Sequence, residues 1–156
     1  STDALGAGYH INQSKIALGS GGVFGKGFLQ GSQSHLDFLP EKQTDFIFTM
    51  IGEEFGLAGS LFVLMIFVLI MLYTYMISFL QSSQFGRLVC SGIVFMLFSY
   101  VFVNIGMVSG MLPVVGAPLP LISYGGSSML TIFISFGIVL SASIHRFDKL
   151  EVRERY

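Results

Sequence analysis

Tryptophan is absent from this 156-residue chain, cysteine occurs once, and only 11% of the residues are charged. Soluble domains are about a quarter charged. With 53% hydrophobic residues and a mean hydropathy of +0.75, the shortage of charge excludes an ordinary soluble domain and indicates an integral membrane protein. Cys90 has no second cysteine to pair with, so it forms no internal disulfide and says nothing of redox compartment. Eight basic against nine acidic residues give a net charge of −1, without the basic excess that nucleic acid attracts, and no nucleic-acid partner is expected. A secretory signal is not visible either: the chain opens on Ser1, and its first segment is neither basic nor apolar enough.

What is present is long uncharged sequence. Phe55 to Leu80 and Leu88 to Ile144 carry no charge, the second run being interrupted by Pro113, Pro118, Pro120 and the pair Gly125 and Gly126. Crossing the hydrocarbon takes about 20 apolar residues. The expected fold is therefore all-α, a polytopic membrane helical bundle. Its spans are expected at 45–80, 88–112 and 127–144, with a large loop at 1–44, a Pro/Gly loop at 113–126 and a tail at 145–156. Arg87, Arg146, Lys149, Arg153 and Arg155 crowd two short segments on one side, whereas Lys15, Lys26 and Lys42 are spread thinly over the other. The positive-inside rule then makes the tail cytoplasmic and residues 1–44 and 113–126 extracytoplasmic.

The chain is organised around His35 to Ser60, where a charged, turn-prone entry runs into an apolar helix. Pro40 suits a first helical turn and Glu41 its positive end, which predicts a helix from there to about Leu80. At about 100° per residue, Glu41, Asp45, Thr49, Gly52, Glu53, Gly56, Gly59 and Ser60 share one face. Phe46, Ile47, Ile51 and Leu57 fall off that line, with Phe48 and Phe55 on its flank, so one side suits lipid and the other protein or a cavity. Asp45 is expected at the mouth of that cavity, beyond what a cap alone needs. Glu54 is expected opposite it, against a neighbouring helix or headgroups.

Two further stretches attract chemistry. Gly19-Ser-Gly-Gly-Val-Phe-Gly-Lys-Gly27 imitates a phosphate loop but fails on spacing, because Ser20 stands where a glycine is needed and Gly27 where Ser or Thr is needed. A flexible, turn-rich connection is the expectation there, although Lys26 and the glycine N–H groups suit a lipid phosphate. Tyr9 to Leu18 before it is a short amphipathic segment suited to the membrane surface. In the second span, Asn104 and the Gly106/Gly110 pair predict close helix contact with an interhelical hydrogen bond. The apolar prolines after it forbid a regular helix, and such backbone is stable at membrane depth only against protein or a watery cavity. Ser123, Tyr124 and Gly125 then form a turn and cap whose free N–H groups suit an anion.

Ser32-Gln-Ser-His-Leu-Asp-Phe-Leu-Pro-Glu-Lys-Gln-Thr-Asp-Phe-Ile-Phe48, Gly52-Glu-Glu-Phe-Gly56 and Asn104 to Ser127 resemble the SEDS family (shape, elongation, division and sporulation), in its RodA-like branch. The resemblance covers nearly the whole chain. It implies a bacterial inner-membrane peptidoglycan glycosyltransferase of about ten spans, acting in cell-wall elongation and rod-shape maintenance. The outer loop and last three spans would be present here, and this portion alone is expected to be inactive. The family's essential loop aspartate falls on Asp45, as general base or as ligand of a divalent cation (Mg2+ or Mn2+) and pyrophosphate. Lys42, Glu41, Lys26, Ser123, Tyr124 and Gly125 are weaker candidates for substrate binding. Lipid II, an undecaprenyl-pyrophosphate-linked glycan, membrane lipid and a class B penicillin-binding protein are the implied partners. Broken apolar backbone and membrane carboxylates also mark carriers, so a lipid-precursor flippase stands as an alternative, and a non-catalytic scaffold as another.

Overall fold

The computed structural model describes residues 7–27 and 45–144, and among these it is all helical. Helix α1 covers Ala7–Ser20, α2 Ile47–Phe79, α3 Gln84–Val108 and α4 Gly126–Ile144. The last three are long and apolar enough to cross a membrane. The most extensive helix contact joins α2 to α3; α1 lies on α2 and reaches the end of α3, and α4 touches both spans more lightly. One core cluster gathers Phe46, Phe48, Phe67, Val101, Val108 and Leu119, and a second, towards the α2–α3 turn, gathers Ile77, Cys90, Ile93, Leu97 and Val139. Gln81 in that turn donates its amide to the Ala142 carbonyl at 2.9 Å, fastening the far end of α4.

Helix α2 is not continuous. Gly56 stands at φ 67°, ψ −159°, a combination open essentially to glycine alone. The stretch after it, 23 residues from Leu57 to Phe79, measures about 34 Å at about 1.5 Å per residue and by itself crosses a bilayer core of about 30 Å. That places the break at the edge of the core, where backbone groups freed from a helix still have to be paired. In an unbroken helix the N–H groups of Leu57 and Ala58 would serve the carbonyls of Glu53 and Glu54. Here Leu57 and Ala58 donate instead to the carbonyls of Gly22 and Val23, while those of Glu53 and Glu54 accept from the Lys26 and Gly27 amides, all four bonds at 3.0 Å. Two helical bonds are thus exchanged for four bonds to residues 22–27.

This docking explains Gly21 and Gly25. A Cβ on Gly25 would run into the Glu54 carbonyl, one on Gly21 into the Gly52 carbonyl, and one on Gly56 into the Gly25 amide. The segment expected to be a flexible connection is instead held against the break, with Gly21 and Gly25 serving close approach. Helix α1 likewise buries Ser14 and Ala17 against the bundle and leaves Ile16 exposed. Lys26 reinforces the seam by donating to Glu53 Oε1 at 2.8 Å, with the Glu53 side chain 1% exposed. Removing the Lys26 ammonium takes a charge-assisted hydrogen bond from a buried carboxylate, and such bonds contribute about 1.5–3 kcal/mol. Lys26→Met is therefore expected to lower the thermal midpoint of purified full-length protein clearly, and Lys26→Met with Glu53→Leu to recover most of the loss. Equal midpoints for the single and double variants would show the pair to be energetically idle.

Three further expectations are corrected. Helix α2 starts at Ile47 after Phe46 at φ −104°, ψ 15°, so Asp45 lies in the turn that precedes the helix rather than inside it. Phe46, expected on the outward side, is a core residue at 5% exposure because it sits in the turn before the helix, and Phe48, expected on the flank, is buried at 6%. Helix α3 runs from Gln84 only to Val108, since Gly110 at φ 70° ends it: the Met111 N–H bonds the Gly106 carbonyl and the Gly110 N–H that of Met107, a Schellman motif. The Gly106/Gly110 pair accordingly does not seat a neighbouring span. Gly106 receives Leu112 of its own returning chain, and Gly110 receives Lys15 and Ile11 of α1.

Candidate active site

Asp45 is positioned by three elements. Its own turn leads into α2, whose positive end suits an acidic side chain. Its carbonyl is left out of the α2 ladder, because the Thr49 N–H donates to Phe46 O at 3.0 Å. That carbonyl accepts instead from Asn104 Nδ2 of α3 at 2.9 Å, and the same Nδ2 donates to Ala117 O in the proline loop at 2.7 Å. Next to Ala117, Gly116 turns at φ 69°, and a Cβ there would stand 3.2 Å from Asp45 Oδ2. The carboxylate, in a residue 7% exposed, thus lies between the entry of one span and the backbone of the loop that follows another.

The loop is built rather than slack. Leu119 and Pro120 are buried, the Leu119 N–H donates to Ser123 Oγ at 2.7 Å, and the Ser123 N–H returns to Leu119 O at 3.0 Å. Leu121, at φ 64°, makes the turn between them. Earlier in the loop, the Val115 N–H meets Met107 Sδ at 3.1 Å. These bonds substitute for the helical ones that Pro113, Pro118 and Pro120 prevent.

The remaining sequence candidates fall in different places. Ser123 is 2% exposed and its hydroxyl is engaged with Leu119, so it shapes the loop. Tyr124 is 79% exposed, and Gly125 opens α4, its carbonyl taking Ser128 Oγ at 2.9 Å and the Met129 N–H at 3.0 Å. Lys26 is paired with Glu53, which lies eight residues past Asp45, about 12 Å along a helix. Glu54 is 9% exposed beside the break. Glu41 and Lys42 lie outside the described residues. Gly116 had no sequence signal beyond a glycine between prolines, and Asn104 was legible as a polar residue in an apolar span but not as a bond to two carbonyls.

Among the described residues, no three His, Cys, Asp or Glu side chains gather to hold a metal. Asp45 is the acidic side chain at this point of the bundle, and Thr49 Oγ1 and Asn104 Oδ1, on residues of the adjoining helices, are buried without a hydrogen bond. A single carboxylate would hold a divalent cation such as Mg2+ only where substrate phosphate and water supplied most of the remaining ligands.

A family model described as a cell cycle protein, covering FtsW, RodA and SpoVE, matches residues 1–148. The chain belongs to the FtsW/RodA/SpoVE family. It is 56% identical over 145 residues to the peptidoglycan glycosyltransferase MrdB of Escherichia coli K12, covering 93% of this chain and 39% of that protein. It is 46% identical over 139 residues to the peptidoglycan glycosyltransferase RodA of Treponema pallidum, covering 89% and 32%. The chain therefore spans about two-fifths or less of the curated relatives it matches. Its fold superposes on a peptidoglycan synthase complex described as coordinating polymerisation and crosslinking, with a TM-score of 0.76, 28% identity and coverage of 91% and 38%. It also superposes on the rod-shape-determining protein RodA of Thermus thermophilus, solved as an aspartate-to-alanine mutant, with a TM-score of 0.68, 32% identity and coverage of 86% and 41%. The family and the three apolar helices make this a multi-pass membrane protein.

Proposed function

We propose that these helices supply part of the active site of a peptidoglycan glycosyltransferase that polymerises lipid II, with Asp45 at its centre. The observation that carries this reading is the buried Asp45 carboxylate set against Gly116 at the entrance to the spans, in a chain whose relatives are named for that activity. The reaction joins the 4-hydroxyl of one lipid-linked disaccharide to the anomeric carbon of a second glycan as the bond from that carbon to undecaprenyl pyrophosphate breaks. A sugar hydroxyl is a poor nucleophile, and Asp45 takes its proton as the new bond forms. If Asp45 instead serves as the ligand of a divalent cation, that cation would neutralise charge on the departing pyrophosphate. Residues 1–44 and the proline loop face outward in this reading and the tail faces the cytoplasm. The sugar and pyrophosphate then meet Asp45 while the polyprenyl chain stays in the bilayer, in the inner membrane of a bacterium. A class B penicillin-binding protein is the proposed partner, supported by the likeness to a synthase complex.

The break at Gly56 favours the flippase alternative in one respect, because carriers bind substrate at interrupted helices. Here, however, the four backbone groups freed by the break are engaged by residues 22–27, which leaves none of them for cargo. Full-length protein reconstituted with labelled lipid II, a divalent cation and its partner separates the two readings. Glycan strands support the polymerase. Lipid II crossing the vesicle bilayer with no strands under any condition supports the flippase.

A further inference from the structure

We infer that Asn104 is a positioning residue of the Asp45 site, setting the distance between the carboxylate and the proline loop through the two backbone carbonyls it binds. This inference rests on Asp45 being the reacting group. Asn104 is wholly buried, and a buried amide in an apolar span persists where its hydrogen bonds matter. Its Nδ2 has two hydrogens, and both are spent on main chain: on Asp45 O, 59 residues away in sequence, and on Ala117 O, 13 residues away. Neither carbonyl belongs to a helical ladder, since the Thr49 N–H that would take the first goes to Phe46 O, and the second lies in a loop. One carbonyl belongs to the residue bearing the carboxylate. The other belongs to the neighbour of Gly116, the backbone wall that Oδ2 faces. A single planar group therefore fixes both the backbone that bears the carboxylate and the backbone wall packed against its Oδ2, and so sets the gap between them and the direction in which the carboxylate meets a sugar hydroxyl. A displacement of about 1 Å of a reacting carboxylate costs about 100-fold in rate.

The geometry also assigns a role to Gly116. A methyl there would meet Asp45 Oδ2 at 3.2 Å on a backbone already at positive φ, so Gly116→Ala disturbs the same gap from the opposite side. Two substitutions acting on one distance are coupled, and their effects fail to add.

The test uses full-length protein with its partner and measures strand synthesis from lipid II, kcat and KM separately, alongside the thermal midpoint. Asn104→Leu is expected to lower kcat at least tenfold with KM changed less than threefold. Asn104→Asp, which keeps the shape but turns an acceptor toward both carbonyls, is expected to lose as much. Asn104→Leu combined with Gly116→Ala should cost clearly less than the product of the single losses. The inference is overturned if the two losses multiply, if kcat is retained in Asn104→Leu, or if kcat falls only in proportion to a fall in folded protein. Should Asn104→Leu not fold, the same three criteria are read on Asn104→Asp. Asp45→Asn run in parallel keeps the two readings apart: activity in that variant defeats the assignment of Asp45 itself, whereas a dead Asp45→Asn beside a fully active Asn104→Leu defeats only the positioning role.

Discussion

Asp45→Asn in the full-length protein is expected to reduce strand synthesis by about 10²–10⁴-fold, the usual contribution of a positioned general base, with the fold intact. The substitution is nearly isosteric. It keeps the backbone carbonyl that Asn104 holds at 2.9 Å and fits the space beside Gly116, so the thermal midpoint should shift little. What it removes is the negative charge and the capacity to accept a proton from the attacking hydroxyl. Asp45→Glu adds a methylene to a side chain that already faces the Gly116 backbone, and is expected to recover only a small part of the rate. Initial rates of glycan formation at saturating lipid II, with the midpoint measured on the same samples, decide the matter. Wild-type rates in Asp45→Asn would remove the carboxylate from the chemistry.

Gly56→Ala is expected to have the largest effect on stability. The new Cβ meets two penalties, a backbone region at φ 67°, ψ −159° that costs about 1–3 kcal/mol for a side-chain-bearing residue, and a clash with the Gly25 amide and the Val23 carbonyl that backbone on both sides must relieve. Relief breaks the bonds from Leu57 to Gly22 and from Lys26 to Glu53. A drop in thermal midpoint of more than about 5 °C in detergent, or failure to purify as a single species, is the expected result. Gly92 and Gly137 are the controls. A Cβ at either meets nothing within 4 Å, and both sit in helices at ordinary φ, so alanine there should be neutral or stabilise by about 0.5–1 kcal/mol. Similar losses at all three glycines would mean that the break is not what Gly56 protects.

How much of this was legible in the sequence depends on the range of the signal. The three spans follow from uncharged runs, a property of each segment alone, and Asp45 stood out because it lay on the small and polar face of the predicted helix and because the resemblance put the family's essential aspartate there. The face carrying Thr49, Gly52, Glu53, Gly56 and Ser60 is buried, although the wheel that grouped these residues assumed an unbroken helix. The break escaped because its cause is not local. Glycine in an apolar run reads the same whether it holds a helical φ or a positive one, and the residues that make the positive one stable, Gly22 to Gly27, lie some thirty positions upstream. The same remoteness hid the function of Asn104, whose two acceptors lie far apart in the chain. Gly110 was read as a packing glycine because a four-residue spacing cannot tell a helix interior from its end.

The bonds across Gly56 couple two parts of the chain into one kinetic unit. Lys26, Gly27, Leu57 and Ala58 each have an amide hydrogen committed across the same seam, so none is released until the seam parts as a whole. Deuterium uptake at these four positions should share one rate, and Lys26→Met should accelerate all four together.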